Sequence, residues 1–348
     1  MEEYNGHLNI YTGGCSKCNS PEYEPGYKVR FCKACRKKLT RYPVKKEVIW
    51  AAIGVGVILL ISLFRLPGYF VAGVDYMRAV RLTEERKYVS AQKAFEVTLK
   101  KFPEHPGSIM HLITAAYFND DLEKMDSLFN LLDEDKLSSL DSDLEAQFDL
   151  LNEYSSHYRI RNRKVYAELD RIANDTAAYQ NKLEGYVKMD SDDLAAKIML
   201  ANLYEIQENH MGADSLAGLA IHAAPLFRPA YYIRLAALKD LKRYGEGLKC
   251  AETLLTQNKE SLRALLCQCF FQLKLNMLKE GLATSKLAAQ LYPDDNSALF
   301  WLSVSYHLNH QQAESERIFA KLQARPDTDT SKLTELQNYI TDKVPFRD

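Results

Sequence analysis

The chain has 348 residues, with 45 Lys and Arg against 46 Asp and Glu, and 47% of it is aliphatic, aromatic or cysteine. That length has room for two domains and a membrane span. Eleven prolines and fifteen glycines are few for this length and argue against a β-rich architecture. The near-neutral total hides an asymmetry: residues 1–47 carry ten Lys and Arg against five acids, net +5, while the remainder carries thirty-five against forty-one, net −6. An acidic remainder gives no footprint for nucleic acid.

The first element is a cysteine module at 1–40. Cys15 and Cys18 form one CxxC pair and Cys32 and Cys35 another, with thirteen residues between them. Two such pairs put four thiolates on two tight turns that can converge on one tetrahedral Zn²⁺. Asn19, Ser20, Pro21, Pro25 and Gly26 supply turns, and Tyr27, Val29 and Phe31 alternate as a strand does. Over about residues 10–38 the arrangement resembles a zinc ribbon, with CSKC and CKAC as its knuckles, although no glycine follows either pair directly. So small a module has too little apolar surface to fold alone, and the expected role of the metal is structural. A redox CxxC would want a βαβ setting, and a catalytic zinc would want a missing fourth protein ligand. His7 lies nearby and is expected on the surface.

A basic linker at 41–47 leads to a transmembrane helix expected at 48–66. Its core, Val48–Phe64, is a run of seventeen uncharged residues bounded by Glu47 and Arg65. At 1.5 Å per residue the run reaches about 26 Å, short of a hydrocarbon core of about 30 Å. Arg65 can snorkel, and apolar residues resume at Leu66, Tyr69, Phe70 and Val71. A buried core helix and a cleaved signal peptide are the competing readings; about 47 residues precede the run, which disfavours the second. Ala52 and Gly56 form a small-xxx-small pair able to seat another helix. Before the run stand Arg36, Lys37, Lys38, Arg41, Lys45 and Lys46; after it only Arg65, Arg78 and Arg81 precede residue 84, mixed with Asp75. The positive-inside bias puts the N-terminus in the cytoplasm and the larger part outside it, in the periplasm of a Gram-negative cell.

From Val71 the chain reads as successive amphipathic helices with a period of 34. One unit has Leu200, Ala201 and Tyr204 in a first helix and Ala213, Ala217 and Ala220 in a second, then Pro225. One period on stand Tyr231, Leu238, Gly247 and Ala251; the next has Leu265, Cys269, Gly281 and Ala288; a fourth has Leu299, Ser303, Tyr306 and Leu322. These offsets resemble the tetratricopeptide repeat, in which small residues let two antiparallel helices pack closely. The resemblance runs over 194–326 and, less completely, 72–134. Between 135 and 193 the register is lost, and one or two degenerate repeats with elongated helices are expected. Leu333, Leu336 and Ile340 would cap the stack, which is bounded at 194–342, with a short tail from Lys343. The resemblance implies an α-α superhelix with a concave side, in contrast to a plain helical bundle.

In such a stack the concave groove is lined by positions 2, 5, 9 and 12 of each first helix, here including Asn202, Glu205, Tyr232, Lys239, Arg263, Phe270, Phe300 and His307. The Lys/Asn pattern by which some members clamp a terminal carboxylate is absent, with only Asn202 at a matching place. The sequence contains no Gly-rich phosphate loop, no HExxH and no GxSxG, so an enzyme is not expected. Asp120–Asp121 and Asp192–Asp193 are expected to cap helices, and His105, His111 and His222 to be cap, surface or groove residues. Cys250 falls opposite Cys267 and Cys269 across a turn, which allows a disulfide in an oxidising compartment or small buried hydrophobes in any other. The expected function is a single-pass membrane scaffold that binds protein or peptide partners through the repeats. Its other predicted partner is the lipid bilayer; no small-molecule substrate is evident and nucleic acid is not expected. The competing reading is a sensor whose cytoplasmic zinc ribbon contacts a regulatory protein or nucleic acid.

Overall fold

The computed structural model describes residues 13–40 and 45–346, without the side chains of residues 40, 64–67 and 69. His7 and Arg41, and the side chains of Phe64, Arg65, Leu66 and Tyr69, lie outside the described residues. The chain divides into two compact units, 1–70 and 71–348.

The first unit holds α1 (Lys33–Thr40) and most of the apolar part of α2 (Lys46–Glu84). Among the described residues no strand forms, and the expected strand at 27–31 is absent. Tyr27 and Val29 are 61% and 50% exposed, so their alternation buries no face. Two backbone bonds nevertheless tie the segment down, Ser16 N to Arg30 O at 2.8 Å and Glu24 N to Phe31 O at 3.0 Å. In α2 the stretch Lys46–Leu63 has a mean hydropathy of 2.0, with none of it buried, and is long and apolar enough to cross a membrane. The helix does not stop after this stretch. It continues through Pro67 and Gly68 to Glu84, so the first repeat helix and the apolar run are one element.

All the regular secondary structure among the second unit's described residues is helical. After α2 come α3 (Tyr88–Lys101), α4 (Pro106–Phe118), α5 (Leu122–Phe129), α6 (Glu134–Ser138), α7 (Ser142–Ser156), α8 (Arg163–Arg171) and α9 (Thr176–Met189). Four full hairpins follow: α10 (Leu194–Ile206) with α11 (His210–Ala223), α12 (Arg228–Asp240) with α13 (Tyr244–Gln257), α14 (Leu262–Lys274) with α15 (Leu278–Leu291), and α16 (Asn296–Leu308) with α17 (Gln312–Gln323). α18 (Thr330–Ile340) closes the stack, with Leu336 and Ile340 buried against it. First helices begin at 194, 228, 262 and 296 and second helices at 210, 244, 278 and 312, so the period of 34 is a property of the backbone.

The same period marks the turns inside the hairpins. Arg86, Asp120, Glu208, Lys242, Asn276 and His310 all have φ between 56° and 64°. In each case the next residue's amide bonds back to a carbonyl five residues earlier, as with Arg243 N to Leu238 O at 2.9 Å and Met277 N to Gln272 O at 2.8 Å. This is the Schellman closure of a helix, in which glycine or asparagine is usual at the left-handed position. Only Asn276 fits that preference. Close packing of the hairpins depends on missing side chains elsewhere: a Cβ on Gly247 would lie 2.3 Å from the Phe271 ring, and one on Gly281 would lie 2.6 Å from Leu273.

The region 135–193 does not contain elongated helices. α6 has five residues and α8 nine, and only α7 and α9 reach fifteen and fourteen. Asn or Asp caps at 133, 141, 162 and 175 start these helices and cut the segment into short pieces. Nor does the stack proceed only from neighbour to neighbour. The α3–α4 hairpin meets turns more than a hundred residues later: Tyr117 Oη donates to Leu226 O at 2.8 Å, and Asn258 Nδ2 donates to Phe118 O at 2.8 Å. Lys259 N donates to Arg86 O at 2.9 Å, and the Glu260 carboxylate accepts from Ser90 N and Oγ at 2.8 and 2.7 Å.

Candidate functional site

The four cysteines of the first unit come together. Their sulfur atoms all lie within 4.8 Å of one another, close enough to hold one metal ion. Cys15 and Cys18 sit on a turn closed by Cys15 N to Ser20 O at 2.8 Å and Asn19 N to Cys15 O at 3.0 Å. Cys32 immediately precedes α1 and Cys35 is in its first turn, with Cys35 N donating to Cys32 Sγ at 3.4 Å. The second pair is therefore built on a helix start. Burial alone would push the Cys15 thiol up, but the backbone amides of Cys32, Lys17 and Cys18 outweigh it and bring it down to about 6. The neighbouring Cys18 and Cys32 side chains push Cys35 up to about 12.

The second site is a cleft of about 540 Å³ on the first helices of the C-terminal hairpins. α12 contributes Tyr232, Leu235 and Lys239, α14 contributes Arg263, Cys267, Phe270 and Lys274, α16 contributes Trp301, and α18 contributes Lys332, Glu335 and Tyr339. This follows from helix periodicity: residues four apart stand above one another on one face, so each first helix gives a short column. Five cations, Lys239, Lys242, Arg263, Lys274 and Lys332, face two carboxylates, Asp240 and Glu335. The Arg263 guanidinium lies 4.1 Å over the Tyr232 ring, and Phe270 packs edge-on against Trp301 with centroids 5.6 Å apart.

The repeat register thus places Tyr232, Lys239, Arg263 and Phe270 in one cleft. Asn202 lies in an adjoining hollow of about 410 Å³ shared with Tyr232 and Arg263, whose far wall is Asp120, Leu122 and Tyr158. The other three sit elsewhere. Glu205 turns to His210 and Asp240; its Oε1 lies 3.0 Å from His210 Nδ1, and burial first of all raises its pKa. Phe300 is buried and lines a neighbouring cavity of about 260 Å³ with Leu333 and Leu336, which shares Trp301, Lys332 and Glu335 with the cleft. His307 is engaged by Gln312 and Asp342 at 2.9 Å each. The residues missed by register reasoning, Trp301, Lys274 and Tyr339, are one helical step from the chosen positions or on the capping helix, where no repeat offset points.

Cys250, Cys267 and Cys269 are free thiols, and the possible disulfide is not formed. Cys250 and Cys269 pack into different core clusters, and Cys269 Sγ is occupied by Gly281 O and Ser305 Oγ at 3.4 Å each. Burial pushes Cys250 and Cys269 up to about 12 and Cys267 up to about 11, which favours the protonated thiol near neutral pH. Asp121 and Asp193 do cap helices, and His105 caps α4 by accepting from Ser108 N at 3.0 Å. Asp120 does something else, holding Arg228. His111 caps no helix: it is half-buried, its ring stacks on Phe95 with centroids 5.0 Å apart, and it lines a hollow of about 450 Å³ with Tyr76 and Asp141.

No family model matches the chain, and no curated protein matches it. Among solved structures it is similar to a thermophilic tetratricopeptide-repeat protein of Thermus thermophilus, at 15% identity and a TM-score of 0.42 over 49% of this chain and 93% of that one. It is also similar to a tetratricopeptide-repeat protein of Parabacteroides merdae, at 12% identity and a TM-score of 0.40 over 78% and 98%. Yeast Tom70 aligns at 14% identity and a TM-score of 0.41 over 74% of this chain and 59% of that one. Likenesses this remote carry no functional argument.

Proposed function

We propose that the protein is a single-pass, membrane-anchored scaffold whose repeat stack binds a protein or peptide partner. Lys46–Leu63 is the anchor. The observation that carries this is the exposure of its apolar surface: Trp50, Ile58 and Leu59 are 69%, 64% and 63% exposed, so the described residues leave them uncovered. In water such a surface is strongly disfavoured, and in lipid it is the expected state. The basic flank from Arg36 to Lys46 keeps the first unit in the cytoplasm, and the repeats lie on the other side.

Cys15, Cys18, Cys32 and Cys35 hold a structural Zn²⁺. Tetrahedral Zn–S bonds of about 2.3 Å require sulfur separations of about 3.8 Å, and Cys18 and Cys32 already stand 3.5 Å apart. The ion's charge would stabilise all four thiolates together.

The cleft carrying Tyr232, Lys239, Arg263 and Phe270 is the partner site, and the role is binding rather than catalysis. Its aromatic and Arg surfaces are of the kind that dominate interface energetics. A photo-crosslinking residue placed at Lys239 or Arg263 in living cells tests this. The reading predicts one discrete protein adduct from those positions and none from Leu219, an exposed second-helix position. Equal adducts from all three positions would count against it.

A further inference from the structure

The cleft is not empty at its α18 end. Beyond that helix the chain turns back, and Phe346 is only 6% exposed although residues 341–345 are exposed. Its ring lies among three aromatic rings, with centroids 6.1 Å from Phe270, 6.0 Å from Trp301 and 5.5 Å from Tyr339. Lys274 closes the box. Its ammonium stands 4.6 Å from the Phe346 ring centroid and also donates to the Phe346 carbonyl oxygen. Between the box and α18 the tail is tied down by Lys343 N and Val344 N, which reach Asn338 O at 3.0 and 3.4 Å.

We propose that the Phe270–Trp301–Tyr339–Lys274 box is the anchor pocket of the cleft, built for an aromatic side chain on an extended acidic peptide, and that residues 343–346 are its resident occupant until a partner displaces them. This rests on the reading of the cleft as a partner site and goes further, naming the anchor and the competitor. Three features carry it. Lys274 contacts a backbone carbonyl as well as a ring, so it recognises a peptide and not merely an apolar group. The box opens directly into the remaining cleft, since Phe270, Lys274, Trp301 and Tyr339 line both. That cleft has five cations against two carboxylates, which suits acidic residues flanking the anchor. The resident stretch 343–346 carries no acid and brings the positive charge of Lys343, so it lacks the acidic flanks that suit the cleft. A resident segment with a mismatched charge is easily replaced.

The test uses the full chain in detergent and a fluorescent peptide, acetyl-TDKVPF-amide, the sequence of residues 341–346. A short tether presents a competing segment at an effective concentration of order millimolar. The peptide is therefore expected to bind the Phe346→Ala chain at least about tenfold more tightly than the unaltered chain. The same peptide carrying Lys343→Glu should bind more tightly still, with an advantage that shrinks as salt rises. Adding Phe270→Ala to the Phe346→Ala chain should abolish binding, with circular dichroism confirming that the helices remain. Equal binding to the unaltered and Phe346→Ala chains, or none to the latter, would overturn the proposal. If peptide binding fails while cleft positions still crosslink to a partner in cells, the competitor falls and the partner site stands. If the peptide binds and no cleft-specific crosslink is found, the opposite holds.

Discussion

Arg228 and Asp120, 108 residues apart in the chain, form a two-pronged ion pair: Nε to Oδ1 at 2.7 Å and Nη2 to Oδ2 at 3.0 Å. The Arg228 side chain is fully buried, while Asp120 keeps a third of its surface. Asp120 occupies the left-handed turn between α4 and α5 at φ 62°, and Arg228 is the first residue of α12. A turn that repeats elsewhere as mere connection here becomes a lock. Tyr232 adds its hydroxyl to the same carboxylate, and Ser261 accepts from Nη2 at 3.1 Å. The lock therefore ties the first hairpins to one wall of the cleft.

Removing one partner leaves a buried charge without its counter-ion. Asp120→Ala is expected to destabilise the repeat unit by about 3–5 kcal/mol. Pairing it with Arg228→Met should restore most of the loss, since an apolar replacement of the whole pair is often close to neutral. Urea unfolding of the single and double variants measures both. A loss below about 1 kcal/mol for Asp120→Ala would mean that the two regions separate without cost.

Gly247 and Gly218 should respond in opposite directions to alanine. Nothing lies within 4 Å of a Cβ on Gly218, whereas one on Gly247 would meet the Phe271 ring at 2.3 Å. Gly218→Ala gains helix propensity and should stabilise by about 0.5–1 kcal/mol. Gly247→Ala forces a buried ring to move and should destabilise by about 1–3 kcal/mol. Thermal melts of the two variants against the parent check the pair.

His111 makes stability sensitive to mild acid. Burial, with His105 adding to it and Asp141 opposing it, lowers its pKa to about 4, and its Nδ1 has no hydrogen-bond partner among the described residues. The unfolded histidine titrates near 6.5, so between 6.5 and 4 the unfolded state takes up a proton that the folded state refuses. The contribution is fully present above pH 6.5 and is lost as pH falls toward 4. Between pH 7.5 and 5 the loss is about 1–2 kcal/mol, allowing for the ring's partial exposure. His111→Phe keeps a ring on Phe95 and should flatten that part of the pH profile, as read by urea midpoints at the two pH values.

The first unit should depend on the proposed zinc. Among its described residues before Lys46 only Cys15 is buried, so packing alone does not hold residues 13–40 together. Purified chain is expected to carry one zinc, and chelation or Cys18→Ser should expose this segment to trypsin while the melting of the repeat unit stays unchanged. A zinc-free chain with a trypsin-resistant N-terminal segment would refute the assignment.

Much of the repeat region was legible because its chemistry is periodic. Leu200, Ala213, Gly247 and Gly281 are small or apolar for reasons of hairpin packing, and that reason recurs every 34 residues. The left-handed turns recur just as strictly, yet Arg86, Glu208, Lys242 and His310 hide them, since nothing in those side chains favours positive φ. The lock was illegible for another reason. Asp120 looks like one of a pair of capping acids, and only its neighbour Asp121 caps. Which carboxylate meets a distant arginine depends on tertiary closure, which local pattern does not encode. The strand expected at Tyr27–Phe31 failed because alternation requires a partner face, and the described residues supply none. Trp301 and Lys274 escaped because they stand one residue and one turn beyond the chosen positions Phe300 and Phe270, and Tyr339 escaped because a groove drawn from repeat positions ignores the capping helix.

The proposed arrangement across a membrane can be tested with introduced thiols. Cys250 and Cys269 are buried, Cys267 is half-buried, and all three have raised pKa values, so they leave a low background for a membrane-impermeant maleimide. Leu275→Cys in the exposed turn after α14 and Val29→Cys in the first unit are the two reporters, both at exposed positions. In intact cells the account predicts labelling at 275 and none at 29, with 29 labelled only after lysis. Labelling at 29 alone would invert the topology, and labelling at neither until lysis would place the repeat stack in the cytosol.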